Sequence, residues 1–327
     1  MSTKDDVLFV LENNRGRYIS GEELAVAAGI SRNSVWKAIS ALRDRGYSIS
    51  AVQNRGYCLS GDDDIISTQS IARYMDAGDF FELTVMDEVT STNALVKQLA
   101  EQGKPEGTAV IANSQTQGRG RKGRSFFSPA DSGIYMSVLL RPHMAAADAL
   151  LITTAAAVAV AQSVEEVTHR SAVIKWVNDI FCDGRKVCGI LTEASVDFET
   201  GGLSYAVLGI GINIAHPRQG FPSELNGIAD SLFEQEAPAG MRSRIAGKVL
   251  QRFLNIYRTL PDKTFMDEYI RRSFVIGMKV DVIAPSGTRS AQVLGIDADA
   301  ALLVRYDNGE QGRLASGEIS IKEKKNE

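Results

Sequence analysis

A short basic and glycine-rich segment, Gly118-Arg-Gly-Arg-Lys-Gly-Arg124, is the part of the sequence best suited to bind an anion. It holds three glycines and four cations, and the next acidic residue is Asp131. Glycine lets the backbone approach a ligand closely, and guanidinium groups bind phosphate oxygens through paired hydrogen bonds. The segment predicts an anion site, although a solvated basic loop or a second nucleic-acid patch would have the same composition.

The spacing of these glycines also matches the dinucleotide motif G-x-G-x-x-G and nearly matches a P-loop. Both motifs require a helix directly after the glycines. Here Phe126-Phe-Ser-Pro129 continues irregularly towards a strand, and no acidic residue follows about twenty positions on to bind a ribose. We therefore reject a Rossmann site and a P-loop site.

Three further segments carry residues that suit a polar ligand: Lys175–Asp179 with Lys186, Gly209-Ile-Gly-Ile-Asn213, and Thr90-Ser-Thr-Asn93. Each also has a plain structural explanation. A lysine at the start of a strand is often only a solvated end. Glycines within a strand mark close approach, by a ligand or by another backbone. Hydroxyls at a helix start cap the helix or bind a polar ligand.

The first sixty residues have the pattern of a winged helix-turn-helix. Ser20 and Glu23 form a capping box for one helix, and Ser31 can cap the next helix after a tight turn. Two alternating segments, 47–52 and 57–59, follow on either side of a polar turn. They predict a β-hairpin, the wing of such a module.

The second helix and the wing carry the positive charge of an otherwise acidic chain. Between residues 31 and 60 there are five basic residues and one acidic residue. This local excess favours binding to DNA phosphates over a purely structural role in dimerisation or packing. The predicted DNA-binding residues are Ser31, Arg32, Asn33, Ser34, Lys37 and Arg55.

From about residue 67 helical and extended patterns alternate, which predicts a mixed sheet covered by helices. The last fifty residues alternate as three short strands, 278–283, 290–296 and 301–306, and predict a small SH3-like β-barrel. The acidic run Asp62-Asp-Asp64 looks like a linker. The predicted fold class is a multidomain α+β protein: residues 1–61 form a winged helix-turn-helix, 66–274 a catalytic domain and 275–322 the SH3-like domain.

Composition excludes several classes of protein. A chain of 327 residues with 44% hydrophobic and 23% charged residues is an ordinary globular protein, and its net charge of −4 excludes general basicity. Three cysteines, far from any zinc spacing, fit a reducing cytoplasmic setting. The apolar stretch 145–164 is mostly alanine and contains polar residues, so we expect a buried helix and no membrane span.

Taken together and in this order, these segments strongly resemble the bacterial bifunctional biotin–protein ligases that also repress the biotin operon. The resemblance runs from about Ser20 to the C terminus. Two positions depart from the family pattern: Val177 stands where proline is frequent, and Phe126 where tryptophan is common. The matching pieces are the helix-turn-helix, Ser91-Thr-Asn93, Gly118–Arg124, Lys175-Trp176, Asn178-Asp179, Gly184-Arg-Lys186, Gly189-Ile-Leu191 and Gly209–Asn213.

The resemblance implies a class II synthetase-like central domain and two reactions. Biotin's carboxylate attacks the α-phosphate of ATP, and a lysine of a biotin carboxyl carrier domain then attacks biotinyl-5′-AMP. Mg²⁺ accompanies ATP, with ligands that the sequence leaves open.

The site residues implied by the resemblance fall into three overlapping groups. Arg121 and Lys186 are the catalytic pair. The biotin pocket comprises Ser91, Thr92, Asn93, Gln115, Gly118, Arg119, Arg121, Lys186, Gly189, Gly209 and Gly211. The ATP and adenylate residues are Arg119, Arg121, Arg124, Phe126, Lys175, Asn178, Asp179, Asn213 and Phe221, the last as a lid over the adenine.

The implied partners are the carrier domain, operator DNA upstream of biotin genes, and a second copy of the chain when the adenylate is bound. A ligase whose DNA-binding unit no longer represses has nearly the same sequence pattern. A biotin sensor without catalysis is disfavoured because Arg121 and Lys186 are present. A lipoate ligase would usually lack both the winged helix and the basic glycine loop.

Overall fold

The computed structural model describes residues 3–76, 78, 80–197, 199–284, 287–315 and 317–321. The chain divides into two compact units, Met1–Gly78 with Gln235–Gln251, and Asp79–Glu234 with Arg252–Glu327. Lys322, the last residue of the predicted third domain, lies outside the described residues.

The first unit contains the predicted helix-turn-helix and wing. Its elements are α1 (Thr3–Glu12), α2 (Gly21–Ala27), α3 (Arg32–Asp44), β1 (Ile49–Val52), β2 (Gly56–Leu59) and α4 (Thr68–Ala72). The capping box at α2 is present: the Glu23 backbone N–H donates to Ser20 Oγ at 3.1 Å, and the Ser20 N–H donates to the Glu23 carboxylate at 2.8 Å. A cluster that includes Leu11, Leu24 and Ile39 forms the core of this unit.

The acidic run 62–64 is part of the folded first unit, so its interpretation as a linker is wrong. Asp63 is buried, and its carboxylate accepts hydrogen bonds from the Ser48 N–H at 2.8 Å and the Ile65 N–H at 3.0 Å. The Asp64 carboxylate accepts a hydrogen bond from Arg242 Nε at 2.7 Å. Specific partners, rather than mutual repulsion, determine where these carboxylates lie.

The second unit is built on a seven-stranded mixed sheet in the order β3-β4-β5-β9-β8-β7-β6. The strands β3 and β4 run parallel, and the other neighbouring pairs are antiparallel. The strands are β3 (Glu82–Val89), β4 (Thr108–Gln115), β5 (Gly133–Leu140), β6 (Val173–Lys175), β7 (Asp179–Cys182), β8 (Arg185–Val196) and β9 (Leu203–Asn213); the helices are α5 (Thr92–Glu101), α6 (Leu150–Thr168), α7 (Met241–Tyr257) and α8 (Met266–Arg272). Residues 241–251 of α7 belong to the first unit.

The sheet interior is apolar and holds the site-bearing segments in place. Every residue of β5 is buried. Helix α5 packs Val96 and Ala100 against Val110, Leu139 and Val207 of the sheet. Each fully buried valine or leucine contributes roughly 1.5–3 kcal/mol, so this contact holds α5 firmly against the sheet.

The alanine-rich stretch forms α6, as predicted. The helix 146–168 is long and apolar enough to cross a membrane by length and composition, but 72% of its most apolar window is buried within the fold. Such burial is typical of the core helix of a globular protein.

The C-terminal segment forms a five-stranded antiparallel sheet in the order β13-β12-β11-β10-β14. Its strands are β10 (Lys279–Ala284), β11 (Gly287–Ile296), β12 (Leu302–Tyr306), β13 (Gln311–Leu314) and β14 (Glu318–Ile321). The sequence predicted the first three and missed the last two, which are only four residues long and follow polar turns. In the part of the chain that the structure describes, no ladder joins β13 to β14, so the antiparallel sheet is observed and the predicted SH3-like barrel is not confirmed.

Candidate functional site

A cavity of about 480 Å³ in the second unit gathers nearly all the predicted site residues. Its walls come from the start of α5, the basic loop after β4, the β6–β7 turn, β8, β9, the segment 221–229 and the start of β14. Because these segments are far apart in sequence, the site exists only in the folded chain.

The basic loop has defined local structure. Arg121–Gly123 form a short 3-10 turn in which Lys122 adopts φ +55°. The Gly120 N–H donates to the Arg124 carbonyl at 2.7 Å, and the Phe126 N–H donates to the Gly118 carbonyl at 2.9 Å. These bonds fold the loop back on itself. As predicted, no helix follows the glycines; the chain continues to β5.

Acidic and carbonyl groups of the C-terminal sheet bind the cations of this loop. The Glu318 carboxylate forms ion pairs with Arg124 and, at 3.5 Å, with Lys122. Arg121 donates one hydrogen bond to the Gly317 carbonyl and another to Asn178 Oδ1, both at 3.1 Å. Burial tends to raise the pKa of Glu318, but the two ion pairs outweigh burial and hold it below the ordinary glutamate value. The carboxylate is therefore charged at neutral pH.

Lys186 lies opposite the basic loop, where β8 begins. Its ammonium Nζ is 2.7 Å from Asp179 Oδ1, and both side chains are largely covered. The Asn178 amide donates to the same Asp179 oxygen at 3.1 Å and to the Ile190 carbonyl at 2.9 Å. The amide thus orients the carboxylate that in turn holds the lysine, which leaves the ammonium on the cavity wall.

The β6–β7 turn is anchored by large side chains. Trp176 donates from Nε1 to the Ala300 carbonyl at 2.9 Å, and Tyr269 donates from its hydroxyl to the Val177 carbonyl at 3.1 Å. The peptide bond between Trp176 and Val177 is cis. Beside this turn, burial lowers the pKa of Lys175 below the ordinary lysine value, against the opposing attraction of Asp179.

A connected polar cluster lines the end of the cavity near α5. The Thr92 N–H donates to Gln115 Oε1 at 2.8 Å. The Asn93 amide donates to the Glu193 carboxylate at 2.8 Å, and the Ser137 hydroxyl donates to Asn93 Oδ1 at 2.6 Å. Buried polar groups that are satisfied in this way have fixed orientations, which is what recognition of a polar ligand head requires.

The strand glycines make room for protein side chains. A Cβ at Gly209 would lie 2.0 Å from Asn93 Oδ1, and a Cβ at Gly211 would lie 2.5 Å from the Phe126 ring. A Cβ at Gly189 would lie 3.2 Å from the same ring. The close approach at all three positions is therefore by side chains of the protein rather than by another backbone.

An aromatic cluster joins the basic loop to the segment that carries the predicted lid. The ring centroids of Phe127 and Phe221 are 6.2 Å apart, and those of His216 and Phe221 are 5.3 Å apart with nearly perpendicular planes. Both distances lie in the range that is favourable for aromatic pairs, and the His216–Phe221 pair is edge-to-face. Phe221 thus lies on the cavity wall beside the basic loop.

Gly118 is the one predicted residue of the second unit that does not line the cavity. It is buried beneath the loop, where a Cβ would lie 2.3 Å from the Phe126 carbonyl oxygen and 2.6 Å from Ser128 Oγ. The other predicted biotin and adenylate residues all line the cavity. The sequence analysis missed several lining residues, which carry no motif: Met136, Cys188, Glu224, Leu225, Ile228, Gly317, Glu318 and Ile319.

The predicted DNA-binding residues lie on α3 and the wing of the first unit. Ser31 caps α3, accepting a hydrogen bond from the Ser34 N–H at 3.2 Å, and the two hydroxyls are 2.9 Å apart. Arg32 forms an exposed ion pair with Glu22 at 3.2 Å. The Arg55 guanidinium stacks over the Tyr18 ring, 4.3 Å from its centroid. The Ser31 hydroxyl and the Ser34 backbone N–H thus form the cap of α3.

Comparison with known families matches both units. The Biotin/lipoate A/B protein ligase family matches residues 85–213, and an HTH domain family matches residues 3–58. The chain is 33% identical to the bifunctional ligase/repressor BirA of Bacillus subtilis over 310 residues, which cover 94% of this chain and 95% of that protein. It is 32% identical to the Escherichia coli protein of the same name over 62% of this chain and 61% of that protein.

A solved structure supports the same relationship. The biotin protein ligase from Aquifex aeolicus, in complex with biotin and ATP, matches with 28% identity and a TM-score of 0.61, over 73% of this chain and 98% of that chain. The match to the B. subtilis protein extends over nearly the whole length of both sequences. On these grounds the chain belongs to the family of bifunctional ligase/repressor proteins named BirA.

Proposed function

We propose that the chain is an ATP-dependent biotin–[acetyl-CoA-carboxylase] ligase and a DNA-binding repressor of biotin genes. One observation carries the catalytic half: a single cavity unites the Arg121 loop, the Lys186–Asp179 pair and the polar cluster at Thr92 and Asn93. In this proposal residues 1–61, 66–274 and 275–322 act as DNA-binding, catalytic and SH3-like domains.

The first step joins two anions, so the site must neutralise and orient them. A carboxylate oxygen of biotin forms a bond to the α-phosphorus of ATP, and the bond to the β-phosphate bridging oxygen breaks as pyrophosphate leaves. Arg121, with Arg119 and Arg124, binds the phosphates. Lys186 donates to the biotin carboxylate and to the α-phosphate, which brings the reacting atoms together.

Lys186 also assists the second step. The amine of a carrier lysine attacks the carbonyl carbon of biotinyl-5′-AMP, the bond to the phosphate oxygen breaks, and AMP leaves. Lys186 stabilises the negative charge that develops on the carbonyl oxygen. The polar cluster binds the uncharged polar head of biotin, while Phe126, Asn213 and Phe221 border the adenylate.

Mg²⁺ would enter with ATP. The described residues contain no group of three or more His, Cys, Asp or Glu side chains placed to hold a metal ion. Mg²⁺ usually binds substrate phosphates and water with one or two protein carboxylates. We assign Asp179 as the carboxylate that would hold the ion, and the ion would neutralise phosphate charge.

The ligase half is tested with Lys186→Gln. ATP–pyrophosphate exchange that depends on biotin should fall by about 10² to 10³, the usual cost of removing one stabilising donor. Lys97→Gln, on the exposed side of α5, is the matched control and should leave exchange unchanged. Full exchange by Lys186→Gln would remove this lysine from the mechanism.

The repressor half rests on the HTH family match and on the basic, exposed α3. Biotinyl-5′-AMP acts as co-repressor: its binding favours a homodimer, and two DNA-binding units then contact two half-sites of the operator. The three cysteines are free and buried, which is compatible with the cytoplasm.

The repressor half is tested by fluorescence anisotropy on DNA from upstream of the organism's biotin-synthesis genes. Binding should tighten only when biotin and MgATP are both present, and Lys186→Gln should abolish that tightening because no adenylate forms. Sedimentation under the same conditions should show the dimer. DNA binding that is absent or independent of ligands, with biotin transfer intact, would favour the alternative of a ligase that no longer represses.

A further inference from the structure

Helix α3 exposes a large apolar side chain on its otherwise polar outer face. Trp36 is 60% exposed, whereas Val35 and Ile39 of the same helix are buried in the core of the unit. Arg32, Asn33, Lys37 and Ser40 are also exposed. At 3.6 residues per turn, these positions lie on one face with Trp36 near its middle.

Other residues of this face have limited freedom to contact bases. The Ser31 hydroxyl caps the helix and is hydrogen-bonded to the Ser34 hydroxyl, and the Arg32 guanidinium is paired with Glu22. Trp36 has no such engagement among the described contacts, and Lys37 stands directly beside it with a compact positive charge. An apolar ring flanked by a cation matches a surface that has both a methyl group and phosphates.

We propose that Trp36 reads the C5-methyl group of a thymine in the major groove, and that Lys37 binds an adjacent backbone phosphate. The proposal rests on the DNA-binding half of the proposed function. In the major groove thymine is the base that presents a methyl group, so an apolar side chain there selects thymine. Each operator half-site should then contain one thymine whose methyl group is required.

Charge favours nucleic acid over a protein partner for this face. The exposed charged residues of α3 and its C-cap are four basic residues and one acidic residue. This excess of positive charge attracts the phosphates of DNA and offers no attraction to a neutral or basic protein surface. HTH modules also place this second helix in the major groove. The four basic residues are Arg32, Lys37, Arg43 and Arg45, and the acidic residue is Asp44.

The test uses the full chain with saturating biotin and MgATP, and the same upstream DNA. Each thymine of one half-site is replaced in turn by uracil, which removes only the methyl group. At one position the wild-type affinity should fall about three- to fivefold, the value expected for one buried methyl group. Trp36→Ala should bind the normal site more weakly and should lose sensitivity to uracil at that position.

Lys37→Gln is the matched control on the same face. It should weaken binding to all sequences, reduce the salt dependence of binding, and keep the uracil sensitivity. Trp36→Ala should transfer biotin normally, since α3 is outside the catalytic unit.

Three results would overturn the inference. The first is DNA binding by the wild-type chain that is insensitive to uracil at every position. The second is full uracil sensitivity in Trp36→Ala. The third is altered sedimentation of Trp36→Ala with unchanged DNA selectivity, which would assign the ring to a protein interface. A chain that binds no operator DNA under any ligand condition refutes the repressor proposal itself, so the two failures are distinguishable.

Discussion

Gly209→Ala should disrupt the polar cluster around Asn93, in the proposed biotin pocket, without changing any polar residue. A Cβ at this position would lie 2.0 Å from Asn93 Oδ1 and 3.0 Å from Asn93 Nδ2. The new methyl group would overlap the Asn93 amide, so the amide cannot keep its present position. Because Asn93 is only 4% exposed, any shift takes its amide away from its hydrogen-bond partners. The variant therefore breaks the hydrogen bonds to Glu193 and Ser137.

The magnitude follows from the bonds that are lost. A hydrogen bond to a carboxylate contributes about 1.5–3 kcal/mol and one between neutral groups about 1 kcal/mol. Replacing a strand glycine by alanine returns roughly 0.5–1 kcal/mol of backbone entropy. The free energy of unfolding of the catalytic unit should fall by about 2–3 kcal/mol. Biotin affinity should fall roughly ten- to hundredfold, because Asn93 and its neighbours no longer have fixed orientations.

Urea unfolding monitored by fluorescence gives the stability change, and calorimetric titration with biotin gives the affinity. Gly295→Ala is the control, since a Cβ at this glycine of β11 meets no heavy atom within 4 Å. It should leave the biotin affinity unchanged and should raise the free energy of unfolding by no more than roughly 0.5–1 kcal/mol, the backbone-entropy gain alone. If Gly209→Ala has the stability and biotin affinity of the wild-type chain, the proposed role of the Asn93 cluster is wrong.

The remaining predictions concern an ion pair, two thiols and a buried charge. Glu318→Gln removes a carboxylate that competes with phosphate for the loop cations, so the KM for ATP in pyrophosphate exchange should fall a few-fold; a rise would contradict this competition. Burial raises the pKa of Cys182 to about 11 and that of Cys188 further. Alkylation at pH 8 should therefore modify neither thiol until the chain is unfolded, and rapid modification of the native chain would count against the fold. Glu12→Ala leaves the partly buried Arg15 without the carboxylate that lies 2.7 Å from its Nε. The first unit should lose about 3–5 kcal/mol of stability, measured by thermal unfolding. Near-normal stability would contradict this prediction.

Local patterns were sufficient to predict most of the elements. The capping box at Ser20 and Glu23 predicted where α2 begins, because capping depends on residues three positions apart. The absence of a helix after the glycines of the basic loop was also predicted correctly. The strands β13 and β14 were missed, since four residues give too little periodicity to distinguish a strand from a loop.

The interpretation of residues 62–64 was wrong for a related reason. Three adjacent carboxylates suggest a solvated segment when their partners are unknown. Arg242, which binds Asp64, is 178 positions away along the chain, and no local pattern connects the two residues. Long-range ion pairs of this kind depend on how the elements pack.

By itself, the sequence determined the kinds of chemistry available: a basic glycine loop, a lysine opening β8, a hydroxyl and amide cluster, and a capped helix-turn-helix. These depend on residue types and short spacings, which the chain carries before it folds. Only the tertiary structure decided that Glu318, 194 positions from Arg124, binds the basic loop, and that Gly209 leaves room for Asn93. Such pairings arise when segments that are distant in the sequence pack against each other, and no local sequence pattern predicts them.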